Sequence, residues 1–103
     1  MNIQKLMKEA QKAQRQMAEA QERLASMEVE GGAGGGLVTA VVTGDGSITK
    51  VRIDAAAVDV DDLTLLEDLV TAAVIDAQRK AKELQEKELG SAVGGLGSMP
   101  GLF

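Results

Sequence analysis

The sequence predicts an α+β fold: a small antiparallel sheet between two long helices, in the order α-β-β-β-α. Three observations carry this. Residues 3–27 hold a heptad of apolar positions, residues 37–54 hold two β-rich runs around a glycine turn, and residues 62–89 return to unbroken helix-forming composition.

The first helix is expected over about residues 2–26. Asn2 is a good N-cap, and after Ile3 the stretch lacks Gly, Pro and β-branched residues up to Ser26. Ile3, Leu6, Ala10, Ala13, Met17, Ala20, Leu24 and Met27 are spaced 3-4-3-4-3-4-3, the seam of a helix lying against another helix. Away from that seam Lys5, Lys8, Lys12 and Arg15 form a second 3-4-3 row, which Glu19 and Glu22 continue. A helix that needed only solubility would mix the two signs. The segregation points to a polyanion at the positive end.

Strands are expected at about 28–31, 37–43 and 48–54. Glu28-Val29-Glu30 alternates, and five glycines in residues 31–36 mark a flexible or tightly turned connection. No Gly-Lys-Ser/Thr follows them and the next element reads as a strand, which excludes a phosphate-binding P-loop. LVTAVVT (37–43) and ITKVRID (48–54) flank Gly44-Asp45-Gly46-Ser47, a hairpin connection. Thr49, Val51 and Ile53 share one face, while Lys50 and Arg52 share the other, where exposed cations are more often simply solvated.

Asp59, Asp61 and Asp62 lack the further oxygen ligands and the glycine of a calcium loop, so they read as caps for the second helix, as does the Thr64/Glu67 capping-box spacing. That helix is expected over about residues 62–89. Leu65, Leu66, Leu69, Val70, Ala72, Ala73, Val74, Ile75 and Ala77 make its first half apolar nearly all round, more than one three-stranded sheet can cover, which calls for a second subunit. Its second half is charged, with Arg79, Lys80 and Lys82 ahead of Glu83, Glu86 and Glu88. Residues 90–103 are Gly-rich and contain the single Pro, and they read as a mobile tail to a domain of residues 1–89.

Composition narrows the function. The chain has 103 residues, no Cys and no His, and one aromatic, Phe103. No disulfide or thiolate metal site is possible, and the usual general base is missing. Its serines fall in connections or the tail, away from any base, so neither catalysis nor a cofactor, metal or small-molecule substrate is expected. No apolar run approaches the ~18 residues of a membrane span, and no signal-peptide block opens the chain, so a soluble intracellular protein is expected. Net charge is −5, yet residues 1–16 carry four cations and one carboxylate, while residues 54–76 carry seven carboxylates and no cation. The local field depends on where charges sit, so a polyanion partner survives the net acidity.

The blocks NIQKLMKEAQKAQRQM, LASMEVEGGAGGGLVTAVVTGDGSITKVRID, LTLLEDLVTAAVIDAQRKAKE and GLGSMPGLF, taken in order, closely resemble the YbaB/EbfC family of bacterial nucleoid-associated proteins. The resemblance implies a tweezers-like homodimer whose projecting helical arms bind double-stranded DNA in the cytoplasmic nucleoid. Lys5 and Lys8 stand at the family's N-x-x-K-L-M-K positions, and Arg79, Lys80 and Lys82 fall in the basic part of its last helix. Lys12 and Arg15 are added on charge alone. The competing expectation is a helical protein-interaction module that grips another helix through the heptad, with DNA binding incidental.

Overall fold

The computed structural model describes residues 2–92. Its elements are α1 (Ile3–Ser26), β1 (Glu28–Ala33), β2 (Val38–Thr43), β3 (Ile48–Ile53), a 3-10 turn (Ala55–Ala57) and α2 (Leu63–Ala92). The α+β order expected from the sequence is the one observed. The strands form one antiparallel sheet in the order β1-β2-β3.

Boundaries differ where packing overrides local composition. β1 runs to Ala33 because Gly31, Gly32 and Ala33 pair with Ala40, Thr39 and Val38. The glycine run is therefore half strand, and only Gly34, Gly35 and Gly36 take the positive φ of a turn. α2 continues through Gly90 to Ala92 instead of ending at Leu89, and the remainder of the expected tail lies outside the described residues. Its cap is Asp62, whose Oδ1 accepts from the Leu65 N–H at 3.3 Å, so Thr64 sits inside the helix. Asn2 caps α1 by accepting from the Gln4 and Lys5 N–H groups at 3.1 and 3.3 Å.

α2 lies across the sheet face formed by Val29, Gly31 and Ala33 of β1 and Val38, Ala40 and Val42 of β2. Its contact residues are Ala73, Ala77 and Ala81, one per turn on one side. Small side chains bring the helix close, and Gly31 brings it closest. A Cβ at that position would meet the Ala77 nitrogen at 2.1 Å.

α1 meets α2 only near its C-terminal end. Ala20 and Leu24 are buried, Arg23 pairs with Glu88 at 3.6 Å, and residues 2–12 are all exposed. β1 crosses α2 in the opposite sense, with Glu30 beside Lys80 and Gly32 beside Asp76. α1 feeds into that strand through Met27 alone, so it runs antiparallel to α2. At ~1.5 Å per residue the two helices are about 36 and 45 Å long, and the molecule measures 71 × 26 × 16 Å. The first half of α1 is an arm.

The β2–β3 turn fastens the base of this arm. The Gly44 N–H donates to the Met27 carbonyl at 2.9 Å, and Gln85 Nε2 donates to the Gly44 carbonyl at 2.8 Å. A Cβ on Gly44 would lie 2.5 Å from the Leu24 carbonyl oxygen. A cavity of about 320 Å³ lined by Gln21, Leu24, Asp45, Gln85 and Leu89 sits in the angle between the turn and the two helices.

Candidate nucleic-acid interface

The arm carries its cations as a row. Lys5, Lys8, Lys12 and Arg15 lie on an arc of ~80° and span ~15 Å of helix axis, at 100° and 1.5 Å per residue. All four are exposed, and none forms an ion pair among the described residues. The helix that holds them is regular from its Asn2 cap, which fixes the side chains on one side of a rigid rod. Glu19 and Glu22 follow in the same row, and with Arg23 and Ser26 they line a cavity of about 330 Å³. The change of sign noted in the sequence is thus laid out along one face of the arm.

The second expected cluster has different surroundings. Arg79 donates to Asp76 at 2.9 Å and to Glu83 at 2.8 Å, and Lys80 reaches Asp76 at 3.2 Å. Lys80 Nζ also donates to the Glu30 carbonyl at 3.2 Å, joining α2 to β1. Asp76 closes the group by accepting from the Gly32 N–H at 3.0 Å. That backbone bond, then Arg79 and Lys80, hold its carboxyl down to about 2. Asp76, and then Glu83, in turn raise the Arg79 guanidinium above its ordinary value. Two cations are here matched by two carboxylates, whereas the arm row has only Glu9 nearby. Lys82 is exposed and has no ion pair among the described residues.

The seven expected residues therefore do not form one patch. Lys5, Lys8, Lys12 and Arg15 share the arm, while Lys80 ties α2 to β1 and Arg79 pairs within α2, with Asp76 and Glu83. Asp76 was missed as their partner, although its i,i+3 and i,i+4 spacing to Arg79 and Lys80 is a sequence signal for such pairing. On β3, Arg52 pairs with Glu30 at 3.4 Å, leaving Lys50 exposed beside it. Among the described residues no group of three or more acids could hold a metal, and no helix is long and apolar enough to cross a membrane.

Three comparisons bear on this arrangement. Nucleoid-associated proteins of Saccharopolyspora erythraea and Acetivibrio thermocellus are 54% and 49% identical to this chain. They align with 98% and 99% of it and with 87% and 90% of their own lengths. A nucleoid-associated protein of Streptomyces avermitilis is 52% identical, aligned over 98% of this chain and 91% of its own. In structure, the uncharacterised protein HP0035 from Helicobacter pylori has the same fold, with a TM-score of 0.76 at 18% identity, covering 93% of this chain and 98% of that one. The YbaB/EbfC DNA-binding family matches residues 1–96, nearly the whole chain. The chain belongs to the YbaB/EbfC DNA-binding family.

Proposed function

We propose that this protein is a non-enzymatic nucleoid component that binds duplex DNA as a homodimer, with the α1 arms as the contact. The observation that carries the reading is the exposed row of Lys5, Lys8, Lys12 and Arg15, unpaired among the described residues, on a projecting helix in a member of a DNA-binding family. Such a row docks on phosphates and releases their counterions, which drives affinity and makes it salt-dependent. Lys82 adds a further free cation. Arg79 and Lys80 serve the fold first, because each would have to give up a carboxylate to reach a phosphate. The only aromatic is Phe103, so base stacking has no platform on the arm and direct sequence readout is small. Acidic residues toward the base of α1 confine the polyanion to the arm tip.

Dimerisation is supported by an inverted distribution of apolar residues. Among the described residues Val38 and Val42 are the largest fully buried side chains, while Ile48, Val51, Ile53, Val58, Val60, Leu63, Leu65 and Ile75 stand exposed. Val51 and Ile53 pair with Ala40 and Val38 and so lie on the sheet face that α2 covers elsewhere. A second copy covering this face supplies the core that the single chain lacks. Two arms then offer eight cations to one duplex.

A salt titration tests the reading. If all eight cations neutralise phosphates, the slope of log K against log salt is about −7. Lys8→Glu with Lys12→Glu abolishes most of the affinity and flattens the slope. The absence of a complex at about 50 mM salt, where phosphate contacts are strong, or an unchanged double variant, overturns it.

A further inference from the structure

The joint that aims the α1 arm turns on one glycine. Gly44 does not take a positive φ, so backbone conformation does not require glycine there. Space does. A Cβ on Gly44 would lie 2.5 Å from the Leu24 carbonyl oxygen and 3.0 Å from the Leu24 Cα, so the last turn of α1 rests directly on the β2–β3 turn. The Gly44 N–H donates to the carbonyl of Met27, the residue that follows α1, at 2.9 Å. Gln85 Nε2 of α2 donates to the Gly44 carbonyl at 2.8 Å. A single residue of the turn thus receives α1 through its N–H and α2 through its carbonyl.

Contacts this near one end make a lever of the helix. Ala20 and Leu24, the buried residues of α1, are ~6 Å apart along its axis at 1.5 Å per residue. Lys8 lies ~18 Å beyond Ala20 on the same scale, and Lys5 ~22 Å. A Cβ at Gly44 would need Leu24 to retreat by ~1 Å to reach an ordinary carbon–oxygen contact. Turned about Ala20, that retreat tilts the helix by ~10° and carries Lys8 by ~3 Å. A charge-assisted N–H···O bond of ~2.8 Å does not survive such a displacement. α1 is regular from Ile3 to Ser26, so no bend between joint and tip absorbs the tilt. The cavity of about 320 Å³ lined by Gln21, Leu24, Asp45, Gln85 and Leu89 leaves α1 room to move once these contacts change.

We infer that Gly44 and Gln85 are positioning residues for DNA binding: they carry no charge and act through the joint, aiming Lys5, Lys8, Lys12 and Arg15 at the phosphates. The inference rests on the arm being the DNA contact.

Residual dipolar couplings of the full-length protein give the angle between α1 and α2, and duplex binding at about 50 mM salt gives the affinity. Gly44→Ala should turn α1 by ~10° against α2. Gln85→Met keeps the side-chain length but removes the donor, and it should shrink the α1 couplings as the arm loosens. Each should lower affinity roughly tenfold, through phosphate contacts forfeited with every cation still present. Gly32→Ala, whose Cβ would meet only an ordinary contact at 3.5 Å, should change neither angle nor affinity. If Gly44→Ala does not fold, Gln85→Met decides alone. Unaltered α1 couplings in the folded variants overturn the inference, as do altered couplings with parental affinity. A parent chain that forms no complex overturns the DNA reading and this inference with it, a result distinct from either failure of the variants.

Discussion

A methyl group at Gly31 would sit 2.1 Å from the Ala77 nitrogen and 2.6 Å from its Cα, and neither backbone atom can step aside without moving α2. At Gly32 the same methyl would find only the Val38 carbonyl oxygen at 3.5 Å, an ordinary contact. Gly31→Ala should therefore lower stability by about 1–3 kcal/mol, the usual cost of overpacking, and Gly32→Ala should leave the urea midpoint nearly unchanged. Asp76 gives a second residue-scale expectation. Its carboxyl is lowered from 3.8 to about 2 in the folded chain. A depressed carboxylate stabilises the fold above its unfolded value, and that contribution is lost as pH falls through the folded one. Asp76→Asn should thus be less stable than the parent above pH 3.8 and converge with it towards pH 2, as read from denaturation midpoints across that window. Both residues were visible in the sequence, but their roles were not equally so. The spacing of Asp76 to Arg79 and Lys80 announces ion pairs, whereas nothing local separates Gly31, pressed against a helix, from Gly35, which has nothing within 4 Å.

At the scale of elements, the cations of α1 and α2 are alike in sequence and unlike in circumstance. An exposed, unpaired lysine gives up only hydration when it meets a phosphate. Arg79 must also release Asp76 and Glu83. Lys12→Gln and Arg79→Gln each remove one charge, yet they should separate in two measurements. Lys12→Gln should reduce the salt slope of DNA binding by about 1 or 2 in a two-armed dimer, with an unchanged denaturation midpoint. Arg79→Gln should lower the midpoint and leave the slope nearly intact. The opposite pattern would move the interface from the arm to the middle of α2. Periodicity made both helices and the hairpin legible, because each strong pattern coincided with its packing. It stopped short both at the glycine run and at the end of α2, where pairing with β2 and helix continuation through Gly90 prevailed over composition. The cation row was legible because it lies on one helix. The bracing role of Lys80 was not, since its partner carbonyl on Glu30 is 50 residues away.

At the scale of the whole molecule, the protein is built with its small residues inside and its large ones out. Among the described residues, six of the ten buried apolar ones are alanines: Ala20, Ala40, Ala57, Ala73, Ala77 and Ala81. Val60 remains 78% exposed and Ile75 60%. Burying Ala in place of Leu or Ile forgoes roughly 2 kcal/mol or more per site, which leaves a lone chain of this size marginal. The exposed apolar run along β3 and into the start of α2 is where a second copy would restore that loss. Val51→Glu with Ile53→Glu places two charges on this run, at positions 38% and 46% exposed that lie outside the buried core cluster. The expected outcome in sedimentation is a shift from dimer to monomer at micromolar concentration, with helix content largely kept at low temperature. DNA affinity should then fall by about two to four orders of magnitude, although no cation has been touched, because a single arm loses the avidity that linkage to a second one confers. A variant that stays dimeric would place the interface elsewhere. One that becomes monomeric yet binds DNA as before would show that one arm suffices, and the dimer would then serve stability alone.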